Sequence, residues 1–140
     1  NGDEEEKNGI PEPVKALKEK IISSAGLLIS TPEYNHGIPG VLKNVIDWLS
    51  RPTDDIAKVF HNRPTGLIGA SAGAAGASNA QLSWLGILKY LKVKPYFEKA
   101  LHVGSAYKVF DPEGKIQDEA TEKRLKAYVD GFVSFVLNSK

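Results

Sequence analysis

The sequence predicts an α/β protein built on parallel strands, and three observations carry that prediction. Helical and strand-like segments alternate along the chain as helix, strand, helix, strand, helix, strand, helix. Two strand candidates, LLIS at Leu27–Ser30 and TGLIGAS at 65–71, are short continuous apolar runs, as expected where helices cover a strand on both faces. Each runs directly into a stretch rich in glycine and small or polar residues before helical spacing resumes. The chain has 140 residues, one domain's worth, enough to bury roughly two thirds of its unfolded surface.

The elements follow in order. Residues 1–9, NGDEEEKNG, are acidic and aperiodic and read as a solvated tail. After Pro11 and Pro13, helical spacing sets Val14, Leu17, Ile21 and Ile22 on one face and Lys15, Lys18 and Glu19 toward water. The first strand is followed by TPEYNHGIPG, then by a helix opened by Pro39 with Leu42, Val45, Ile46 and Leu49 as its apolar stripe, ending before Pro52. Residues 50–63 read as a polar linker. The second strand ends in the turn SAGAAGAS, and a helix over 77–91 carries Leu82, Leu85, Leu88 and Leu91 in a row. A third strand is expected near 100–104, DPEGK at 111–115 is a turn, and a last helix over 118–137 buries Leu125, Val129, Phe132, Val133 and Val136.

Composition narrows the function. Apolar residues make up 41% and charged residues 25%, with a formal net charge of +1, so no field draws the chain to nucleic acid. The absence of cysteine excludes disulfides, thiolate metal sites and cysteine nucleophiles, and permits a reducing compartment. The apolar runs are too short to cross a bilayer. No methionine is present, so a segment before Asn1 is expected.

Chemistry concentrates at the two strand-to-helix junctions, 31–40 and 71–78, both of which fall at the carboxyl edge of a parallel sheet, where ligands bind. The opening amides of the helices that follow suit an electron-rich group. SAGAAGAS has neither the dinucleotide spacing nor a P-loop ending. It reads either as a tight turn that needs glycine for close packing or as a nucleophile elbow, since residues 69–73 spell G-x-S-x-G. The elbow reading has only Glu98 and His102 to complete a triad with Ser71, and Glu98 lies too near His102 in the chain to come from a separate strand loop. His36 and His61 have no partners at metal-ligand spacing and read as loop residues.

At PEYNHGIPGVLKNVIDW the sequence resembles the NADPH-dependent FMN reductase family, and within it the branch of chromate, quinone and azo-compound reductases. Pro32, Glu33, Tyr34, Asn35, Pro39, Gly40, Leu42, Lys43, Asn44, Asp47 and Trp48 fit the pattern P-E-Y-N-x-x-x-P-G-x-L-K-N-x-x-D-W, eleven fixed positions in seventeen. SAGAAGA, LKYLKV and FDPEGKI also resemble this branch. The resemblance implies a flavodoxin-like three-layer α/β/α fold with a five-stranded parallel sheet, of which residues 1–140 supply strands three, four and five as a partial domain without the N-terminal βαβ segment. The family's phosphate-binding loop would be absent with that segment. The fragment alone is then expected to bind FMN poorly and to expose an apolar edge at Leu27–Ser30.

The resemblance further implies FMN and NAD(P)H as cofactors. Pro32, Glu33, Tyr34 and Asn35 would line the flavin ring, and Ser71, Ala72 and Gly73 would approach it from the neighbouring loop. NAD(P)H would deliver a hydride to the flavin, which would pass electrons to a small-molecule acceptor: a quinone, azo compound or metal oxyanion. Glu33 reads as a structural cap in preference to a catalytic acid; Lys43, Asn44 and Asp47 read as helix-surface, loop-bracing or subunit-contact residues. A cytoplasmic homodimer or homotetramer is implied, without nucleic-acid or membrane partners, with Trp48 and Trp84 as candidates for the subunit contact. The alternative is a flavin-free remnant acting as a binding or oligomerisation module.

Overall fold

A computed structural model describes residues 2–139 of the chain. Four parallel strands, β1 (Leu27–Ser30), β2 (Pro64–Ala70), β3 (Lys94–Pro95) and β4 (Leu101–Val103), fill three positions across one sheet. β2 is central, with Ile29 of β1 opposite Leu67. Its other side is shared: β3 pairs with Pro64 and Thr65, and β4 pairs with residues 68–70. The expected third strand is therefore an interrupted edge, with residues 96–100 looping out between its halves.

Helices α2 (Glu12–Ser23), α3 (Gly40–Leu49), α4 (Ile56–Phe60) and α5 (Ser78–Tyr90) pack on one face of the sheet, where Ile21, Ile29, Ile46, Leu49, Phe60, Leu67 and Trp84 form a core. On the other face, after the short α6 (Ala106–Val109), α7 (Glu119–Leu137) lies over β2 and β4, and Tyr96, Leu101, Val103, Tyr128 and Phe132 form a second core. Tyr96 packs edge-on against Tyr128 with ring centroids 5.3 Å apart. Burial pushes the Tyr128 phenol up to about 12. The arrangement is a three-layer α/β/α sandwich.

The structure departs from the sequence reading at several points. Residues 2–8 form a helix, α1 (Gly2–Asn8), rather than a tail. Asp3, Glu4 and Glu5 sit in its first turn and Lys7 in its last, matching the helix dipole. Gly9, at φ 71°, ends it with its amide on the Glu5 carbonyl, and Glu5 pairs with Arg51 at 2.7 Å. Lys18 is 5% exposed rather than facing water. Its ammonium donates to Asp55 at 2.8 Å and to the Arg51 carbonyl, and that hydrogen bond holds the Asp55 carboxyl below its usual range.

The linker after α3 contains a 3-10 turn at Thr53–Asp55 and α4, whose Val59 and Phe60 are fully buried. In α5 only the second half of the leucine row is buried: Leu82 is 63% and Leu85 38% exposed, whereas Leu88 and Leu91 lie in the core, where Ala80, Gln81 and Trp84 complete the buried face. Steps of three residues lag the helix by roughly 60° each, so a row of four rotates half-way round. α7 likewise buries Thr121, Tyr128 and Phe132 and leaves Val129 and Val133 at the surface. Asp118 caps it, accepting the Thr121 amide at 2.7 Å. β1 is covered on one face only, since α7 sits over its neighbours and Leu28 stays 38% exposed.

Candidate functional site

The two junctions meet at the carboxyl edge of the sheet. The first follows β1, where the Thr31 amide extends the ladder onto the Ile68 carbonyl at 2.9 Å. Tyr34 and Gly37 then exchange backbone hydrogen bonds of 3.1 and 3.0 Å around Asn35 and His36, both left-handed at φ 50° and 59°. Two successive positive φ angles define a type I′ turn, which asparagine enters at little cost. Pro32, Tyr34 and Asn35 are thereby displayed at the surface, while Glu33 between them turns inward.

Glu33 reaches the second junction. Its Oε2 accepts the Asn79 and Ala80 amides at 2.9 and 3.1 Å, and its Oε1 lies 3.5 Å from Asn79 Nδ2 and 3.6 Å from His36 Nδ1. The first-turn amides of α5, expected from the sequence to await an external ligand, are therefore satisfied by this carboxylate. The structure gives Glu33 the role of a cap. The triangle closes with Asn79 Nδ2 3.1 Å from His36 Nδ1.

Backbone packing shapes the second loop. The Ser71 amide donates to the Val103 carbonyl at 3.0 Å, and the Ser105 and Ala106 amides donate to Gly73 and Ser71 at 3.1 and 3.0 Å. Three glycines permit the approach. A methyl on Gly69 would lie 2.5 Å from the Thr31 carbonyl; one on Gly76, itself at φ 59°, would lie 2.7 Å from the backbone at Val103; one on Gly104 would collide with the Ala74 carbonyl. Of the two readings left open for SAGAAGAS, the structure supports the tight turn. Ser71 Oγ accepts the Ala77 amide at 3.2 Å and lies 3.3 Å from the Gly73 carbonyl, with no histidine among its partners. Nor does Ser71 adopt the left-handed backbone of a strained elbow.

Ala72, Gly73 and Ala74 are exposed, and among the described residues their amides have no acceptor. A methyl on Gly73 would meet only Ser71 Oγ, at 4.0 Å, an ordinary contact. The sequence-predicted residues thus fall into two groups on one open shelf: Pro32, Tyr34 and Asn35 on one side, and Ala72 and Gly73 on the other. Glu33 and Ser71 sit beneath them as braces. Free amides fit the electron-rich edge of a planar heterocycle such as a flavin.

Sequence reasoning missed Asn79 as the group bridging the two junctions; its only local signal is an amide residue in the first turn of a helix after a glycine-rich loop. Trp84 is fully buried in the core and makes no surface for a partner, while Trp48 is half-buried. Lys43 and Asp47 pair with each other along α3 at 2.6 Å, as surface residues do. No cluster of metal-binding side chains occurs among the described residues, and no helix there is long and apolar enough to cross a membrane.

Comparison with known proteins identifies the family. The chain is 37% identical over 126 residues to a 2-hydroxy-1,4-benzoquinone reductase from a Burkholderia species, covering 90% of this chain and 68% of that protein. It is 36% identical to an NAD(P)H-dependent FMN reductase from Pseudomonas aeruginosa, covering 84% of this chain and 62% of the relative. The solved structure of FerB, a flavoenzyme NAD(P)H:(acceptor) oxidoreductase from Paracoccus denitrificans, superposes with a TM-score of 0.85 at 32% identity, covering 99% of this chain and 74% of FerB. The chain thus spans about two thirds of the length of the curated relatives it matches. The profile of the NADPH-dependent FMN reductases matches residues 1–108, and with these likenesses it establishes that the chain belongs to the NADPH-dependent FMN reductase family.

Proposed function

We propose that the protein is a flavin-dependent NAD(P)H oxidoreductase that holds FMN on the shelf between residues 32–35 and 71–73 and reduces quinones. The observation that carries this reading is that two loops 40 residues apart in sequence are joined on one sheet edge by the Glu33 carboxylate. Family membership and quinone and FMN reductases among the relatives support it.

FMN, when bound, supplies hydride acceptance from NAD(P)H and electron transfer to the acceptor. The chain's own groups bind and orient. Pro32 and Tyr34 offer a flat, partly apolar wall, and Tyr34 is 58% exposed before any ligand arrives. Asn35, held in its left-handed turn, presents an amide without a partner among the described residues. The Ala72, Gly73 and Ala74 amides offer donors to ring carbonyls and favour electron density gathering there. Glu33 keeps its charge beneath the shelf rather than on it. Azo compounds and metal oxyanions are further acceptors within reach of an open shelf. A cytoplasmic location belongs to the same proposal, and assembly into two or four copies would have to use surfaces other than Trp84.

The test is to add FMN to the purified protein, follow flavin absorbance and fluorescence, and measure NADPH and NADH oxidation against a panel of quinones. A flavin signal from bound FMN that rises with added FMN, and acceptor-dependent turnover above that of free FMN, are expected. A protein that holds no flavin and oxidises neither nucleotide would overturn the reading in favour of a flavin-free binding module.

A further inference from the structure

We infer that Glu33 is a positioning residue with two duties: its carboxylate sets the spacing of the two shelf loops, and its charge biases the shelf against the reduced, anionic form of the bound ring. The inference rests on the FMN reading of that shelf. Its physical basis is the contrast between Glu33 and its neighbours. Pro32 and Tyr34 are exposed on the shelf, whereas the Glu33 side chain is 9% exposed.

A carboxylate withdrawn from water needs compensation. No lysine or arginine pairs with it among the described residues. Its compensation comes from the Asn79 and Ala80 amides at the positive end of α5 and from Asn79 Nδ2. One negative charge therefore occupies a helix terminus that would otherwise direct its partial positive charge toward the ring. Loss of the charge should weaken the hold on the loop for any occupant. It should penalise a reduced anionic occupant less, because the charge that repels it and offsets the positive end of α5 is gone.

Glu33→Ala and Glu33→Gln, made in the full chain, separate these duties. Without FMN, hydrogen exchange at the Asn79 and Ala80 amides should accelerate by about tenfold or more in Glu33→Ala, with the α7 amides unchanged, because a hydrogen bond to a charged acceptor protects by that order. With FMN, binding of the oxidised form should weaken about tenfold in Glu33→Gln, and that of the dithionite-reduced form measured anaerobically by no more than about threefold. Equal weakening of the two redox forms would leave Glu33 a merely structural brace and overturn the charge role. Unchanged exchange at Asn79 and Ala80 would overturn the latch itself. A wild-type protein that binds no FMN would overturn the flavin reading, and the exchange result would then decide the latch alone. Should Glu33→Ala not fold, the same exchange measurement on Glu33→Gln carries the test.

Discussion

The two loops of the shelf reach the same edge by opposite means. Residues 31–37 are held by side-chain chemistry: a buried carboxylate, an amide and an imidazole, with a type I′ turn between them. Residues 71–77 are held by the near-absence of side chains, with Gly69, Gly76 and Gly104 letting three stretches of backbone press together. A loop built from polar side chains can be loosened gradually and retuned by charge. A loop built from backbone contact tolerates almost nothing at its contact glycines, because a methyl added at Gly69, Gly76 or Gly104 has nowhere to go.

The sharpest way to break the comparison is to add that methyl. Gly104→Ala, which drives a Cβ into the Ala74 carbonyl, should cost more than about 3 kcal/mol and is checked by denaturant unfolding. Gly69→Ala, at 2.5 Å from the Thr31 carbonyl, should behave similarly and disturb both loops.

Next in size is a perturbation that spares both loops. The folded protein holds the Tyr128 proton to about 12, whereas an unfolded tyrosine releases it near 10. This contribution is therefore complete below pH 10 and is lost as pH rises toward 12. About 2 kcal/mol of stability should disappear across that window, read by unfolding at stepped pH, and Tyr128→Phe should flatten the profile.

Glu33→Ala should cost about 1–2 kcal/mol in thermal unfolding, less than either glycine substitution, because water can replace part of what the carboxylate gives to α5. The smallest effect belongs to His36→Gly. Relieving a left-handed imidazole residue at φ 59° should offset its lost contact with Asn79, leaving stability within about 0.5 kcal/mol of wild type in the same assay. If His36→Gly proved as damaging as Gly104→Ala, the distinction between the two kinds of loop would fail.

What the sequence revealed followed the range of the forces involved. LLIS and TGLIGAS announce strands because burial leaves a run of apolar residues, and Pro39, Pro52 and the DPEGK turn mark boundaries through local backbone chemistry. Both shelf loops were legible for that reason, and their family motif made them more so. The inward turn of Lys18 was not legible, because its partner Asp55 lies 37 positions away and nothing on its own helix announces the pair. Periodicity was only half informative in α5, where Leu88 and Leu91 of the leucine row share the buried face with Trp84 and Ala80 while Leu82 and Leu85 are exposed. The α1 helix escaped notice because its stability comes from end charges and a docking arginine rather than from an apolar stripe. The reach of Glu33 to Asn79 and Ala80, 46 and 47 positions on, depended on the fold itself.

The broken third position of the sheet has a consequence for how copies of this molecule can misassociate. Between Lys94–Pro95 and Leu101–Val103 the chain leaves the ladder, and the interruption carries Glu98 and Lys99. A foreign strand laid along this margin would meet a proline, two short registers and charges, so templated polymer growth is blocked there. The opposite margin, along Leu27–Ser30, has no such guard among the described residues.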